Sequence, residues 1–286
     1  MMTLIKMLGF GFFCFVMGVA YALDNSKKNW DMITLLDGTQ HDQQELINQM
    51  RDDEFYYGYL SKAALSSSSL KLLLTSPKTY YNVTKYGSPE SQALRDGWLF
   101  HAAILEPDVF QSQIFVPVAS KNTKAYKEAK KEHDRPFTGS EKKNAEKMAD
   151  AFFRNEKALQ YLQNSEFEVP MVGIVNGMPF RGKADILGEN RICDLKTTSD
   201  LRAFPYSAKK YSYDIQCYLY CTLFDVPYEN FTFVVIDKKS LDIGIYHCSE
   251  DFYLSGKEKT EKAIQIYETY FLQETDLDQY YIEGIL

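Results

Sequence analysis

Between positions 169 and 197 the chain runs through three β-forming segments separated by turn residues, and this stretch constrains the fold more than any other. Residues 169–175 and 178–187 read as strands joined at Asn176-Gly177, a pair suited to the positive φ angles of a tight hairpin. Residues 191–197 read as a third strand after the turn around Gly188-Glu189-Asn190. Along the second segment, period-2 alternation puts Met178, Phe180, Ala184 and Ile186 on one face and Arg181, Lys183 and Asp185 on the other. A helix is expected over 213–224, strands over 231–236 and 243–248, and a closing helix from about 251 to 272.

Upstream, Ser66 to Ser69 precede Leu70-Lys71-Leu72-Leu73-Leu74, a capped short helix that stops at Ser76-Pro77. A second helix is expected from about Pro89 to Leu105, ended by Glu106-Pro107. Ala145, Met148, Ala149 and Phe152 recur at i, i+3, i+4 and i+7, the apolar stripe of a core helix. This order predicts an α/β fold, a mixed β-sheet core flanked by helices with an N-terminal helical region. With 286 residues, 45% of them hydrophobic, the chain can bury a substantial core, as one large α/β domain or two small ones. Disordered, collagen-like and polytopic membrane classes are excluded.

The first residues carry a separate signal. Lys6 precedes an uncharged run over 7–23, and Ala20-Tyr21-Ala22 has the small-x-small form of a signal-peptidase site. The run reads as a secretory signal, as an amphipathic helix, or as an unused upstream start with Met32 as a later one. We therefore set residues 1–30 apart, treat 31–56 as a polar, acidic segment, and take 57–286 as the domain. The formal net charge of −7 argues against coating nucleic acid by bulk charge, although a local basic groove can sit on an acidic body. The lysines at 121, 124, 127, 130, 131, 142 and 143 are either a solvated face balanced by Glu128, Glu132 and Glu141, or a mobile arch that meets phosphates. Five cysteines without a C-x-x-C pair indicate neither a zinc ribbon nor a disulfide framework.

The chemistry concentrates in the meander. In the third strand Ile192, Asp194 and Lys196 share a face. If the preceding turn holds an even number of residues, Asp185 lies opposite Asp194, with Cβ atoms about 5 Å apart. An odd turn places them on opposite faces. Facing carboxylates repel unless a cation sits between them, and Mg²⁺ suits oxygen ligands. Lys196 can then hold a water and stabilise an anionic transition state, while Arg181 and Lys183 extend positive charge towards a phosphate backbone. Such a set suits phosphodiester hydrolysis. Gln216 and Tyr220, four residues apart on a helix, can orient Lys196 and a phosphate.

Asp185, Asp194-Leu195-Lys196 and Gln216-x-x-x-Tyr220 resemble the P-D-(D/E)-x-K nuclease superfamily. Within it they are similar to the phage-type branch related to the nuclease domain of exodeoxyribonuclease VIII, with lambda exonuclease and the nuclease domains of bacterial recombination helicases more distant. Leu65-Ser66-x-Ser68-x-Leu70-Lys71, Gly97-x-x-x-His101-x-x-x-Leu105-Glu106-Pro107 and Lys196-Thr197-Thr198-Ser199-Asp200 extend the resemblance over about 57–271. It implies His101, Asp185, Asp194 and the Leu195 carbonyl as metal ligands. Lys196, Gln216, Tyr220 and Glu166 would be catalytic, with Glu168 an alternative to Glu166, and Arg181 and Lys183 would contact DNA. His41, His133 and His247 match no position of the pattern.

The implied activity is a Mg²⁺-dependent exonuclease, with Mn²⁺ substituting, that resects linear DNA 5′ to 3′ in recombination or repair. Its implied partners are a single-strand annealing protein and further copies of itself in a ring. No iron–sulfur cluster and no ATP are expected, and a cytoplasmic location is favoured over export. The alternatives are a non-catalytic DNA-binding module on the same fold and an exported protein of unrelated function.

Overall fold

The meander forms, and it makes up three strands of a five-stranded sheet. The computed structural model describes residues 32–285, so the signal-like segment and Cys14 lie outside the described residues. Strand β1 (Glu166–Val175) pairs antiparallel with β2 (Met178–Gly188) through a turn in which Asn176 has φ 49° and Gly177 φ 80°. This is the primed hairpin geometry that Asn-Gly favours. Strand β3 (Arg191–Thr198) pairs antiparallel with β2 and parallel with β4 (Phe231–Asp237), and β5 (Ile243–His247) closes the edge antiparallel to β4. The parallel step needs a crossover, which the helix at Tyr213–Phe224 supplies.

Serine and proline punctuate the helical region before the sheet. Ser66 caps α1 (Ser67–Thr75) by accepting the Ser69 N–H. Ser76 ends that helix and also caps α2 (Pro77–Tyr86), where Pro77 sits in the first turn at no hydrogen-bonding cost. The expected stop at Ser76-Pro77 is therefore also a start. Helix α3 (Gln92–Leu105) begins at the Ser91 cap rather than at Pro89. Helix α4 (Gly139–Arg154) opens on a reciprocal capping box between Thr138 and Glu141 and buries the stripe of Ala145, Met148, Ala149 and Phe152. Helices α5 (Tyr213–Phe224) and α6 (Glu250–Tyr267) follow among the later strands.

The sheet separates two cores. On one face Leu70 and Leu73 of α1, Ile215 and Leu219 of α5 and Ala263 of α6 pack with Phe180, Ala184 and Phe233. On the other, Phe100 and Ile104 of α3 and Met148 and Phe152 of α4 pack with Ile186, Leu195 and Val234. Gly256 lets α6 lie against the start of α5, because a Cβ there would collide with the Asp214 carbonyl. The Asp214 carboxylate is buried beneath this crossing and accepts from Ser255 Oγ at 2.7 Å and Lys259 Nζ at 2.6 Å.

The acidic stretch after Met32 is folded. A two-stranded ribbon (Met32–Thr34 with Gln40–Asp42), a helix at Gln43–Gln49 and a π-helical turn at Phe55–Tyr59 share a small core of Ile33, Leu46, Met50, Tyr56 and Leu60 with Val172 of β1. Part of the lysine-rich stretch is the helix Lys124–Glu132, capped by Thr123. Among the described residues no helix is long and apolar enough to cross a membrane.

One expectation about the meander fails at an informative place. Met178, Phe180 and Ala184 do share a core, but Ile186 packs in the other one. The alternation of β2 breaks at Asp185.

Candidate metal centre

The joint between β2 and β3 is the two-residue turn Glu189-Asn190, and the pairing runs Gly188↔Arg191, Leu187↔Ile192, Ile186↔Cys193. The next row in this register is Asp185 opposite Asp194. The ladder ends before it, because the Asp185 carboxylate accepts the Leu195 N–H at 2.7 Å and takes the place of a strand neighbour. On the other side of β2, the row between Phe167↔Ile186 and Val169↔Ala184 is also interrupted. That row holds Glu168, whose φ of 48° lies in the left-handed region. Such a backbone is strained for a glutamate and persists only when its surroundings impose it. Three carboxylates thus occupy one row across β1, β2 and β3, at a fork where the sheet parts.

Helix α3 brings His101 to this fork. One ring nitrogen, Nε2, lies 2.8 Å from the Leu195 carbonyl, and the other, Nδ1, lies 3.4 Å from Asp185 Oδ2. One ligand atom each from His101, Glu168 and Asp185 falls within 4.8 Å of the others. Two carboxylates and one imidazole form an oxygen-rich donor set of the kind that takes a hard or borderline divalent cation. The electrostatics point the same way: burial, then the neighbouring Asp185 and Glu106 carboxylates, pushes the Glu168 carboxyl up to about 8. A group that carries its proton at neutral pH must lose it to bind a cation. Calorimetry with Mn²⁺ in buffers of different ionisation enthalpy should therefore show proton release, and affinity should rise between about pH 6 and pH 8. A pH-independent affinity in that window would exclude Glu168 from the ligand set.

Asp194 and Lys196 sit beside this trio. The Asp194 carboxylate is fully buried, with Oδ1 accepting from the Gln216 amide and Oδ2 from the Lys196 ammonium. Burial raises the Asp194 carboxyl to about 6, against the pull of Lys196. Burial also works against the Lys196 charge, but Asp194 and Asp185 more than offset it, and the ammonium pKa is raised. The pair is therefore ionised above about pH 6. The Lys196 ammonium lies 5.1 Å from the centre of the Tyr213 ring, and Lys71 of α1 lies 4.9 Å from the same ring. Burial, then Lys196, pulls the Lys71 ammonium down to about 8.

The residues singled out in the sequence divide accordingly. His101 and Asp185 stand in the trio, with the Leu195 carbonyl against His101. Asp194 turns its carboxylate to Lys196 and Gln216. Tyr220 is buried, and its hydroxyl lies 3.5 Å from the Lys183 backbone N–H rather than beside Lys196. Its ring covers Gly182, where a Cβ would lie 2.9 Å from the Tyr220 Cε1. Glu166 is exposed at the start of β1, opposite Leu187, and lies outside the trio, where Glu168 stands instead. Arg181 is buried over the Tyr56 ring, and Lys183 pairs with Asp53 at 2.9 Å. His41 and His247 lie against Thr39 and Thr232, and His133 ends the Lys124–Glu132 helix. Lys71, Tyr213 and Tyr56 were not assigned roles from sequence. Of these, only Lys71 lay in a motif block.

Comparison with known proteins bears on the family and the fold. A family model described as a PDDEXK-like domain of unknown function (DUF3799) matches residues 66–276. Among solved structures, a candidate exonuclease from Eubacterium rectale superposes with a TM-score of 0.61 at 17% identity, covering 82% of this chain and 95% of its own. A phage-related exonuclease from Haemophilus somnus 129PT gives a TM-score of 0.34 at 17% identity, covering 76% of this chain and 99% of its own. No curated protein matches.

Proposed function

Because this chain belongs to the family of PDDEXK-like domains of unknown function (DUF3799), we propose that it is a Mg²⁺-dependent deoxyribonuclease that hydrolyses phosphodiester bonds at DNA ends. The observation that carries this reading is the convergence of His101, Glu168 and Asp185 at the sheet fork, with the Lys196 ammonium on the adjoining strand. The donor set fits a divalent ion, and His101, Glu168 and Asp185 would hold it. When bound, the ion supplies Lewis acidity towards a phosphoryl oxygen and lowers the pKa of water.

The protein's own groups have separable tasks. Lys196 Nζ is protonated at neutral pH and can donate to a non-bridging phosphate oxygen as negative charge grows there. Asp194 anchors that ammonium, and the Gln216 amide fixes the Asp194 carboxylate, so neither needs to reorganise when substrate arrives. Lys71 adds a second cation over the Tyr213 ring and attracts the polyanion. Action at ends rests on the resemblance of the motif blocks to phage-type exonucleases.

The test is digestion of end-labelled single- and double-stranded linear DNA, and of a covalently closed circle, with Mg²⁺ or Mn²⁺. Wild-type protein should release short products from linear DNA and leave the circle intact, and Lys196→Ala should be inactive. Equal activity of Lys196→Ala removes the assigned site, and cutting of the circle removes the end requirement.

A further inference from the structure

Next to the trio lies an aromatic and cationic surface that hydrolysis as described above does not use. The π-helical turn Phe55–Tyr59 packs Tyr56 beneath Tyr57, edge to face, with ring centres 4.9 Å apart. Tyr57 is 61% exposed. Arg181 lies 4.3 Å over the Tyr56 ring, and Lys183 lies 4.8 Å from Tyr56 and 5.4 Å from Tyr57. Both cations stand on β2, the strand that carries Asp185. At about 3.3 Å per residue Lys183 is roughly 7 Å and Arg181 roughly 13 Å from it along the chain.

Arg181 points independently to an anion. It is only 9% exposed, and its Nε has no hydrogen-bond partner among the described residues. A buried guanidinium with an unused donor is costly until an anion arrives. Lys183 is already matched by the exposed Asp53, a partner that a phosphate can displace.

Resting on the nuclease reading, we propose that Tyr57, supported by Tyr56 and flanked by Arg181 and Lys183, is a subsite for one unpaired nucleotide of a DNA strand, its base stacked on the tyrosine. An exposed aromatic ring with the Lys183 ammonium 5.4 Å from its centre, and Arg181 over the ring beneath it, matches a base joined to its own phosphate. A base inside a duplex already has both faces covered and cannot use it. The strand would then enter the site unpaired.

The test uses the intact protein in EDTA, so that binding is read without cleavage. Fluorescence anisotropy would follow a labelled oligothymidylate and an abasic strand of equal length. Tyr57→Ala should weaken oligothymidylate binding about tenfold or more, and Tyr57→Phe should stay within about twofold of wild type. The abasic strand should bind wild type and Tyr57→Ala equally. Unchanged oligothymidylate affinity in Tyr57→Ala, or equal losses on both strands, overturns the subsite. So does stronger binding of a blunt duplex that depends equally on Tyr57. Digestion of linear DNA by the same wild-type preparation separates the two readings: cleavage without any Tyr57 dependence rejects the subsite alone, whereas neither cleavage nor DNA binding rejects both.

Discussion

Asp185→Asn is expected to abolish DNA hydrolysis while making the metal-free protein more stable. The two effects share a cause. Asp185 lies in one row with Glu168 and Asp194, and its charge helps to raise the Glu168 carboxyl to about 8 and the Asp194 carboxyl to about 6. Asparagine keeps an oxygen that can accept the Leu195 N–H, so the shape of the fork survives. What is lost is one of the two carboxylate charges that the donor set offers a cation. Lewis-acid stabilisation is worth several kcal/mol, or about a thousandfold or more in rate. Meanwhile the like-charge repulsion in the metal-free site is relieved, by about 1 kcal/mol, which for a chain of this size raises Tm by roughly 2–4 °C. Activity assays and thermal unfolding in EDTA check both halves. A variant that cleaves at the wild-type rate would remove Asp185 from the site, and one that melts below the wild type in EDTA would remove the repulsion.

Much of this site could be read in the sequence because it lies on strands with a strict period and a short turn. Glu189-Asn190 holds two residues, so the register puts Asp185 in the row of Asp194, as the even-turn expectation required. Asn176-Gly177 set the preceding hairpin in the same way. Periodicity fails where the site distorts the sheet. Alternation predicts Ile186 on the face of Ala184, but β2 changes face at Asp185, opposite a residue held at positive φ. The same distortion explains the acidic position before the meander. Glu166 and Glu168 are equivalent by period, and only the left-handed backbone at Glu168 turns one of them into the fork. The orientation of Asp194 was equally hidden, because Lys196, Gln216 and a cation compete for the same oxygens. Tyr56 and Tyr57 escaped because a π-turn has neither the helical nor the strand period.

Arg95→Met is expected to cost about 3–5 kcal/mol of folding stability, lowering Tm by on the order of 10 °C. Arg95 is buried in the first turns of α3, two turns before His101. It donates from Nε to Glu141 Oε1 at 2.7 Å, from Nη2 to the Pro136 carbonyl at 2.7 Å, and from Nη1 to Glu90 at 2.8 Å. Glu141 in turn caps α4 by accepting the Thr138 N–H at 2.7 Å. One ion pair thus joins the helix that presents His101 to the helix packed beside it. Burial opposes ionisation of Glu141, but Arg95, the Thr138 N–H and the Gln92 amide override it and take the carboxyl down to about 2. A depressed carboxylate contributes stability that is present above its unfolded pKa, near 4.5, and is lost as pH falls through the folded value. That contribution comes from the Arg95, Thr138 and Gln92 donors together, and Arg95→Met removes the largest of them. The stability gap between wild type and Arg95→Met should therefore be full at pH 6 and narrow steadily from about pH 5 towards pH 2. A gap that stays constant over that range would mean that Arg95 acts through its packing on Phe137, 4.3 Å away, and not through Glu141. Glu141→Gln separates these further, since its one amide oxygen can still accept the Thr138 N–H while the charge and the acceptor facing Arg95 are lost. Its stability should be flat where the wild type declines. Because α3 carries His101, any displacement of the helix in Arg95→Met should also weaken Mn²⁺ binding, although Arg95 itself is not a ligand.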